Sequence, residues 1–417
     1  MESILLNHPT HNVQGKINLP ASKSESNRAL IINALMNNQS TLFNVSEARD
    51  SQTMLRLLSS DEHILDVIDA GTTMRFLTAF LSVTGKDKIL TGTPRMQERP
   101  VKILVEALKV LGADIEYKNK EGFPPLHIKK FNYSGVNKLE MRGDVSSQYV
   151  SALLMIAPLL PEGIEINLIG PLGSRPYIEM TLQQMQHFGI EHTWIENKIK
   201  VVHQLYKPAT YQVESDWSGA SYWYSICALS ENADIELLGL KENSLQGDSK
   251  IVEIMRKIGV DSQYTGKGML LKKINEGKEV EINFTDCPDL AQTIAVVCAA
   301  KGILLKMTGV ESLKIKETDR IAALQNELSK CGASMNESDS EPGLYIVRQA
   351  MDYSKIRKTV EIHTYDDHRM AMAFAPLGLL KEIIIEEPGV VVKSYPRFWH
   401  DLQSVGFEIN KVEQKVL

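Results

Sequence analysis

Val101–Tyr117, VKILVEALKVLGADIEY, carries the pattern from which the fold follows. Val101, Leu104, Val105, Leu108 and Leu111 recur at helical spacing and define one apolar face. Gly112 follows, and glycine adopts the left-handed conformation at a helix end with the least strain. A short strand-like segment comes next. The same pattern returns in YIEMTLQQMQHFGIEHTW, SKIVEIMRKIGVDSQY, RIAALQNELSKCGASM and RFWHDLQSVGFEI, closed by Gly189, Gly259, Gly332 and Gly406. Successive glycines lie 70 to 77 residues apart, longer than the solenoid repeats. That period suits a unit of several strands and two helices.

A second helix accompanies each unit: SNRALIINALMN, GTTMRFLTAFLSVTG, SSQYVSALLMIAPLLPEG, SGASYWYSICALS, PDLAQTIAVVCAAKG and DDHRMAMAFAPLGLL. Each opens on Ser, Thr, Gly, Asp or Asn, residues that cap helix N-termini. In the first unit the partner helix should lie in SQTMLRLLSS, but its Gly-plus-strand ending is missing and only DEHILDV precedes the next helix, so the first repeat is read as shortened. Six units in one chain predict an α/β protein of two lobes, three units each. The chain should cross between lobes near Pro20 and Glu214, dividing it into 20–214 and 1–19 plus 215–417.

Composition narrows the function. With 417 residues, 43% hydrophobic, the chain can bury a large core and favours two domains. A net charge of −6 argues against a general nucleic-acid binder, so any bound anion needs a local cationic pocket. Cys227, Cys287, Cys298 and Cys331 form no CxxC pair; neither a disulfide nor zinc is indicated, and the thiols read as apolar filler. MESILLNHPTHNVQGK reads as neither a signal nor a transit peptide, and SALLMIAPLLPEG is too short to span a bilayer. A cytoplasmic protein with no membrane partner is expected.

Several segments carry polar chemistry at helix starts. In Ser22-Lys23-Ser24-Glu25-Ser26-Asn27-Arg28, Ser24 and Arg28 share a face at i, i+4, and hydroxyls with cations at a helix N-terminus suit a phosphate. A capped helix followed by solvated charges fits this segment equally well. Asp69-Ala70-Gly71-Thr72-Thr73-Met74-Arg75 offers amides that an anion can approach, or a plain cap. Arg95 and Arg99 flank a proline turn, as an anion clamp or a solvated turn. Ser146-Ser147-Gln148 and Ser174-Arg175-Pro176-Tyr177 open two more helices. Later come Asp289 after Pro288, Lys316-Glu317-Thr318-Asp319-Arg320 as a charged first turn, and Asp366-Asp367-His368-Arg369 running into an apolar helix. Buried charge there needs partners. Lys393 follows the apolar VVV as a strand end.

Taken in order, SKSESNRAL, AGTTMR, PRMQERP, SSQYVSALL, SRPYIEMT, SDWSGASYW, PDLAQTIA, KIKETDR, DDHRMAMA and VKSYP resemble the enolpyruvyl transferases, specifically the 5-enolpyruvylshikimate-3-phosphate synthase family. The resemblance spans nearly the whole chain. It implies two lobes of three βαβαββ units, with helices inside and sheets outside. It also implies transfer of the enolpyruvyl group of phosphoenolpyruvate to the 5-hydroxyl of shikimate 3-phosphate, on the route to chorismate. No cofactor and no metal are implied, and a monomer is expected.

The resemblance assigns shikimate 3-phosphate to Lys23, Ser24, Arg28, Ser146, Ser147, Gln148, Ser174, Tyr177, Asp289 and Lys316. Phosphoenolpyruvate falls to Lys23, Gly71, Arg95, Gln148, Arg320, His368, Arg369 and Lys393. Asp289, Glu317 and Lys23 carry proton transfer. The 20–214 lobe is implied to hold mainly shikimate 3-phosphate, and the other lobe the catalytic carboxylates. Some positions depart from the family. Asp69 stands where Asn is usual, Phe76 where many members have Pro, and Ser312 where some have Asn. The related UDP-N-acetylglucosamine enolpyruvyl transferases carry a reactive Cys on the loop that here reads Thr93–Gln97, and no Cys precedes Cys227. A non-catalytic anion-binding scaffold is the remaining alternative, which the joint presence of Lys23, Asp289, Glu317, Arg320 and Lys393 opposes.

Overall fold

The computed structural model describes residues 2–144, 146–349, 351 and 358–412. Its contacts gather into two compact units, Ala21–Val213 and Met1–Pro20 with Glu214–Leu417. The first is inserted between two strands of the second: Asn12–Asn18 pairs in parallel with Asn232–Leu238, on the far side of the insertion in sequence.

Among the described residues there are five four-stranded sheets and one two-stranded sheet. Each four-stranded sheet repeats one plan, a parallel pair extended by two antiparallel pairings. In the inserted unit, Lys138–Arg142 and Ile164–Ile169 are parallel, and Lys198–Val201 and Thr193–Ile195 continue antiparallel. The helices Ser147–Ile156 and Arg175–His187 fall between these strands in sequence, which makes the βαβαββ unit. Parallel pairing requires such a crossover, whereas the antiparallel end closes through a tight turn. The shortened first repeat is the two-stranded sheet, Thr41–Phe43 with Thr210–Gln212. Helix Arg49–Leu58 follows it, as SQTMLRLLSS predicts.

Burial follows from the periods. Strand Ile164–Ile169 alternates buried positions with half-buried or exposed ones, so one face packs and the other meets water. Helices Lys23–Leu35, Gly71–Val83 and Trp217–Leu229 are buried on nearly every side, the behaviour of helices enclosed by their unit. The core of each unit therefore lies among helices, with sheets outside. Gly112 ends its helix at φ 113°, and a Cβ there would sit 1.9 Å from the Asn132 carbonyl oxygen, so no other residue fits. The four cysteines are free and buried. Among the described residues no helix is long and apolar enough to cross a membrane.

Candidate active site

In the Ala21–Val213 unit, helix Lys23–Leu35 is capped by Ser22, whose Oγ accepts from Glu25 N at 3.4 Å. The helix therefore starts before Ser26, where SNRALIINALMN begins, and Ser24 lies in its first turn. Lys23 Nζ reaches Asp50 Oδ2 at 3.0 Å, and that carboxylate is nearly enclosed. The Arg28 guanidinium is 2% exposed. It donates to Thr181 Oγ1 at 2.7 Å, Ser24 O at 2.8 Å, and Ser151 Oγ and Tyr177 O at 3.2 Å each. Those bonds use four of its five N–H groups. Burial pulls its pKa down to about 10, which leaves it charged at neutral pH. Arg28 therefore joins the backbones of Ser24 and Tyr177, two segments expected at the same phosphate.

Helix Gly71–Val83 starts without a side-chain cap. A Cβ on Gly71 would lie 2.7 Å from Arg75 Nη1 and 2.8 Å from Arg99 Nη1, so glycine is what lets two guanidinia approach this helix start. Arg75 is held by Gly71 O and Pro100 O. Arg95, the arginine expected beside Gly71, is exposed and pairs with Glu98 at 3.1 Å. Arg99, which is buried, stands beside Gly71. Gln148 Nε2 donates to Thr72 Oγ1 at 3.1 Å, bringing the Ser146-Ser147-Gln148 and Gly71-Thr72 helix starts together. Asp69 receives two bonds from Arg49 Nη2, at 3.0 and 2.8 Å, so its added charge has a cation to match it.

Ser146 caps its helix, accepting from Gln148 N at 3.4 Å. Ser174 does not cap: it sits in the left-handed region at φ 54° and its side chain accepts no helix N–H. A non-glycine residue in that region is strained, and strain of this kind gathers at ligand clamps.

The other unit concentrates charge around Arg320. Its guanidinium touches three carboxylates: Asp289 Oδ1 at 3.1 Å, Glu317 Oε2 at 2.8 Å and Asp367 Oδ2 at 2.6 Å. Arg369 Nη2 lies 2.8 Å from Asp289 Oδ2, and Lys393 Nζ lies 3.5 Å from Glu317 Oε1. His368 is buried with Nδ1 3.7 Å from Asp367 Oδ1. Burial alone would raise the Asp289 pKa; the charges of Arg369, Lys316 and Arg320 outweigh it and hold the carboxyl well below its ordinary range. Burial would likewise weaken Arg320 as a cation, and Asp367, Glu317 and Asp289 reverse that and raise its pKa.

The structure departs from the sequence reading at three of these residues. Asp289 is not an N-cap; it lies in a 3-10 turn, Pro288–Leu290, that feeds helix Ala291–Lys301. Lys316 precedes rather than shares the helix of Arg320, which begins at Arg320 with Asp319 as its cap. Lys393 ends a 3-10 helix, Pro388–Lys393, and is 2% exposed, not a strand end. The 3-10 path lets Lys393 turn inward to Glu317.

Three polar residues in these clusters, Asp50, Arg49 and Asp248, were missed in the sequence, and a fourth, Asp367, was visible only as part of a charge run. Asp50 and Arg49 pair with Lys23 and Asp69 across long gaps in sequence. Asp367 clamps Arg320 and caps helix His368–Phe374. Asp248 accepts from Ser218 Oγ, while Ser218 Oγ also lies 3.4 Å from Arg369 Nη2. Burial and the nearby Asp289 charge push the Asp248 carboxyl up to about 7. A cap Asp and a charged pair look alike in one sequence; only the charge run at 366–369 hinted at this.

A family model described as EPSP synthase (3-phosphoshikimate 1-carboxyvinyltransferase) matches residues 7–61 and 58–402. A protein of Bacteroides fragilis (strain YCH46) named 3-phosphoshikimate 1-carboxyvinyltransferase is 47% identical, over 98% of this chain and 99% of that protein. A protein of the same name from Aliivibrio salmonicida (strain LFI1238) is 36% identical, over 97% and 100%. The fold is similar to a solved EPSP synthase from Acinetobacter baumannii, with TM-score 0.77 at 22% identity, covering 99% of this chain and 100% of that one. The five four-stranded repeats, the charged clusters at their helix starts and these matches along the chain's length place it in the EPSP synthase (3-phosphoshikimate 1-carboxyvinyltransferase) family.

Proposed function

We propose that the chain transfers the enolpyruvyl group of phosphoenolpyruvate to the 5-hydroxyl of shikimate 3-phosphate, releasing phosphate. The observation that carries this is the Arg320 network, in which one guanidinium contacts Asp289 and Glu317 beside Arg369 and Lys393. Both substrates are phosphate esters of about −1.5 to −2 charge at neutral pH. Two unit charges ~4 Å apart repel by ~4 kcal/mol at an effective dielectric of 20. Joining such molecules calls for dense cations and helix starts, which these segments supply.

In this reading Ser24, Ser146, Ser147, Ser174 and Lys23 hold shikimate 3-phosphate, with Arg28 fixing Ser24 and Tyr177. Gln148, Tyr177, Lys316 and Asp289 seat its ring. Gly71, Arg95, Arg320, His368, Arg369 and Lys393 serve phosphoenolpyruvate, and the placement of Arg99 at Gly71 adds that residue. Glu317 delivers a proton to the methylene carbon of phosphoenolpyruvate, leaving the neighbouring carbon cation-like. The 5-hydroxyl attacks that carbon while Asp289, with Lys23, takes its proton. The resulting ketal phosphate expels phosphate as its methyl group returns a proton. The depressed pKa of Asp289 keeps it ionised, as a proton acceptor must be. Phosphate drawing Arg369 away would raise its basicity.

The same proposal takes the enzyme as a monomer of the cytoplasm; free, buried thiols suit a reducing compartment. The test measures phosphate release from phosphoenolpyruvate with shikimate 3-phosphate and, separately, with UDP-N-acetylglucosamine. Release only with shikimate 3-phosphate is expected; release only with the nucleotide sugar overturns the proposal.

A further inference from the structure

On the outer face of one sheet of the Ala21–Val213 unit, His63, Asp87 and His127 bring ligand atoms within 4.8 Å of one another. They come from three adjacent strand segments. His63 precedes Ile64–Asp66, Asp87 precedes Lys88–Thr91, and His127 lies on Leu126–Phe131. Backbone pairing fixes these segments: Ile89 N donates to His63 O at 2.8 Å, and Ile89 stands opposite His127. His127 Nε2 is 2.8 Å from Asp87 Oδ1, and His63 Nδ1 is 3.9 Å from the same oxygen. The two imidazole rings meet edge to face at 5.9 Å. We propose that these three side chains form a binding site for a divalent first-row transition ion, with Zn²⁺ the natural probe.

The chemistry and the geometry agree. Two imidazoles and one carboxylate select zinc, nickel or copper over magnesium or calcium. Tetrahedral zinc with bonds of about 2.0–2.2 Å holds its ligands roughly 3.3 Å apart, between the separations seen here. Small side-chain rotations close the set, and water fills the fourth position. Glu116 stands 3.9 Å from the other nitrogen of His127 and directly opposite it in the sheet. A carboxylate behind a ligating imidazole fixes its tautomer and orientation. Glu116 also pairs with Lys129, which supports it from the neighbouring strand. The site is absent from any local motif because its residues lie 24 and 40 positions apart. Nothing in the proposed transfer reaction uses them.

Titration calorimetry of the full chain with ZnCl₂ in a non-chelating buffer tests this. One saturable ion per chain is expected. His63→Ala combined with His127→Ala should abolish that binding while circular dichroism stays unchanged. Glu116→Gln, which keeps all three ligands, should weaken it by about tenfold to a hundredfold. Should either ring substitution unfold the chain, Asp87→Asn replaces the pair as the variant that must lose the ion. Absence of saturable binding, or equal affinity in the variants that lose a ligand, overturns the proposal.

Discussion

Arg320 and Asp367 meet at two points, Nε to Oδ2 at 2.6 Å and Nη2 to Oδ1 at 3.3 Å, with side chains only 2% and 0% exposed. The pair fixes the guanidinium that faces Asp289 and Glu317. Asp367 also accepts from Arg369 N at 2.8 Å, so one carboxylate starts a helix and anchors the charge network. Removing one partner of a buried pair strands the other, at a cost of about 3–5 kcal/mol. Asp367→Ala should lower unfolding free energy by about that much in urea denaturation. Asp367→Asn keeps the cap's acceptor oxygen, so it should lose less stability while still lowering turnover.

Glu317 touches both Arg320 and Lys393 and is assigned the proton for the methylene carbon. Glu317→Gln keeps the shape and removes the proton donor. Turnover should fall by about 10²–10⁴ with KM values little changed. Steady-state kinetics with both substrates checks this; full turnover in the variant would remove Glu317 from the chemistry.

Gly71 leaves no room for a methyl group beneath Arg75 and Arg99. Gly71→Ala must push at least one guanidinium aside. Small misplacements of binding groups cost up to about a hundredfold, so KM for phosphoenolpyruvate should rise by about tenfold or more. KM for shikimate 3-phosphate should change far less. Equal effects on both substrates would contradict the placement of this helix start.

The Arg49–Asp69 pair explains how an acidic residue is tolerated two positions before Gly71. Arg49→Ala should raise KM for phosphoenolpyruvate by repulsion. Adding Asp69→Asn to that variant should recover most of the loss. The half-exposed arginine limits the coupling to about 1 kcal/mol. Additive losses in the double variant would show that the two residues act separately.

Asp248 gives a pH signature. Its carboxyl rises from an ordinary 3.8 to about 7 on folding, chiefly through burial. Between those values the folded chain holds a proton that the unfolded chain has released. Stability from this group therefore falls as pH rises from about 4 to 7. Asp248→Asn cannot release a proton, so its Tm relative to the parent should climb across the same window. A constant Tm difference would contradict the shift.

Much of the fold was legible because it rests on local chemistry. Gly112, Gly189, Gly259, Gly332 and Gly406 all have positive φ, as their places after apolar helices require. The first repeat, which lacks the glycine-plus-strand ending, forms only a two-stranded sheet, Thr41–Phe43 with Thr210–Gln212. Of the site, the charged segments were visible but their local roles were not. Ser22 rather than Ser26 caps its helix, because neighbouring serines are equally able to cap and backbone geometry chooses among them. Arg99 lies beside Gly71, which PRMQERP could not show, because two arginines four apart look alike in sequence. Asp50 and Asp248 acquire their partners only through tertiary packing, which no spacing in the chain encodes.

Proton NMR of the reaction run in D₂O distinguishes enolpyruvyl transfer from hydrolysis of phosphoenolpyruvate. Phosphoenolpyruvate and shikimate 3-phosphate should yield an enol ether at the shikimate 5-oxygen, one phosphate per product, and deuterium in its vinyl methylene. That label follows from protonation of the methylene carbon and its reversal. Pyruvate accompanying the phosphate, or no reaction of either substrate, would contradict enolpyruvyl transfer.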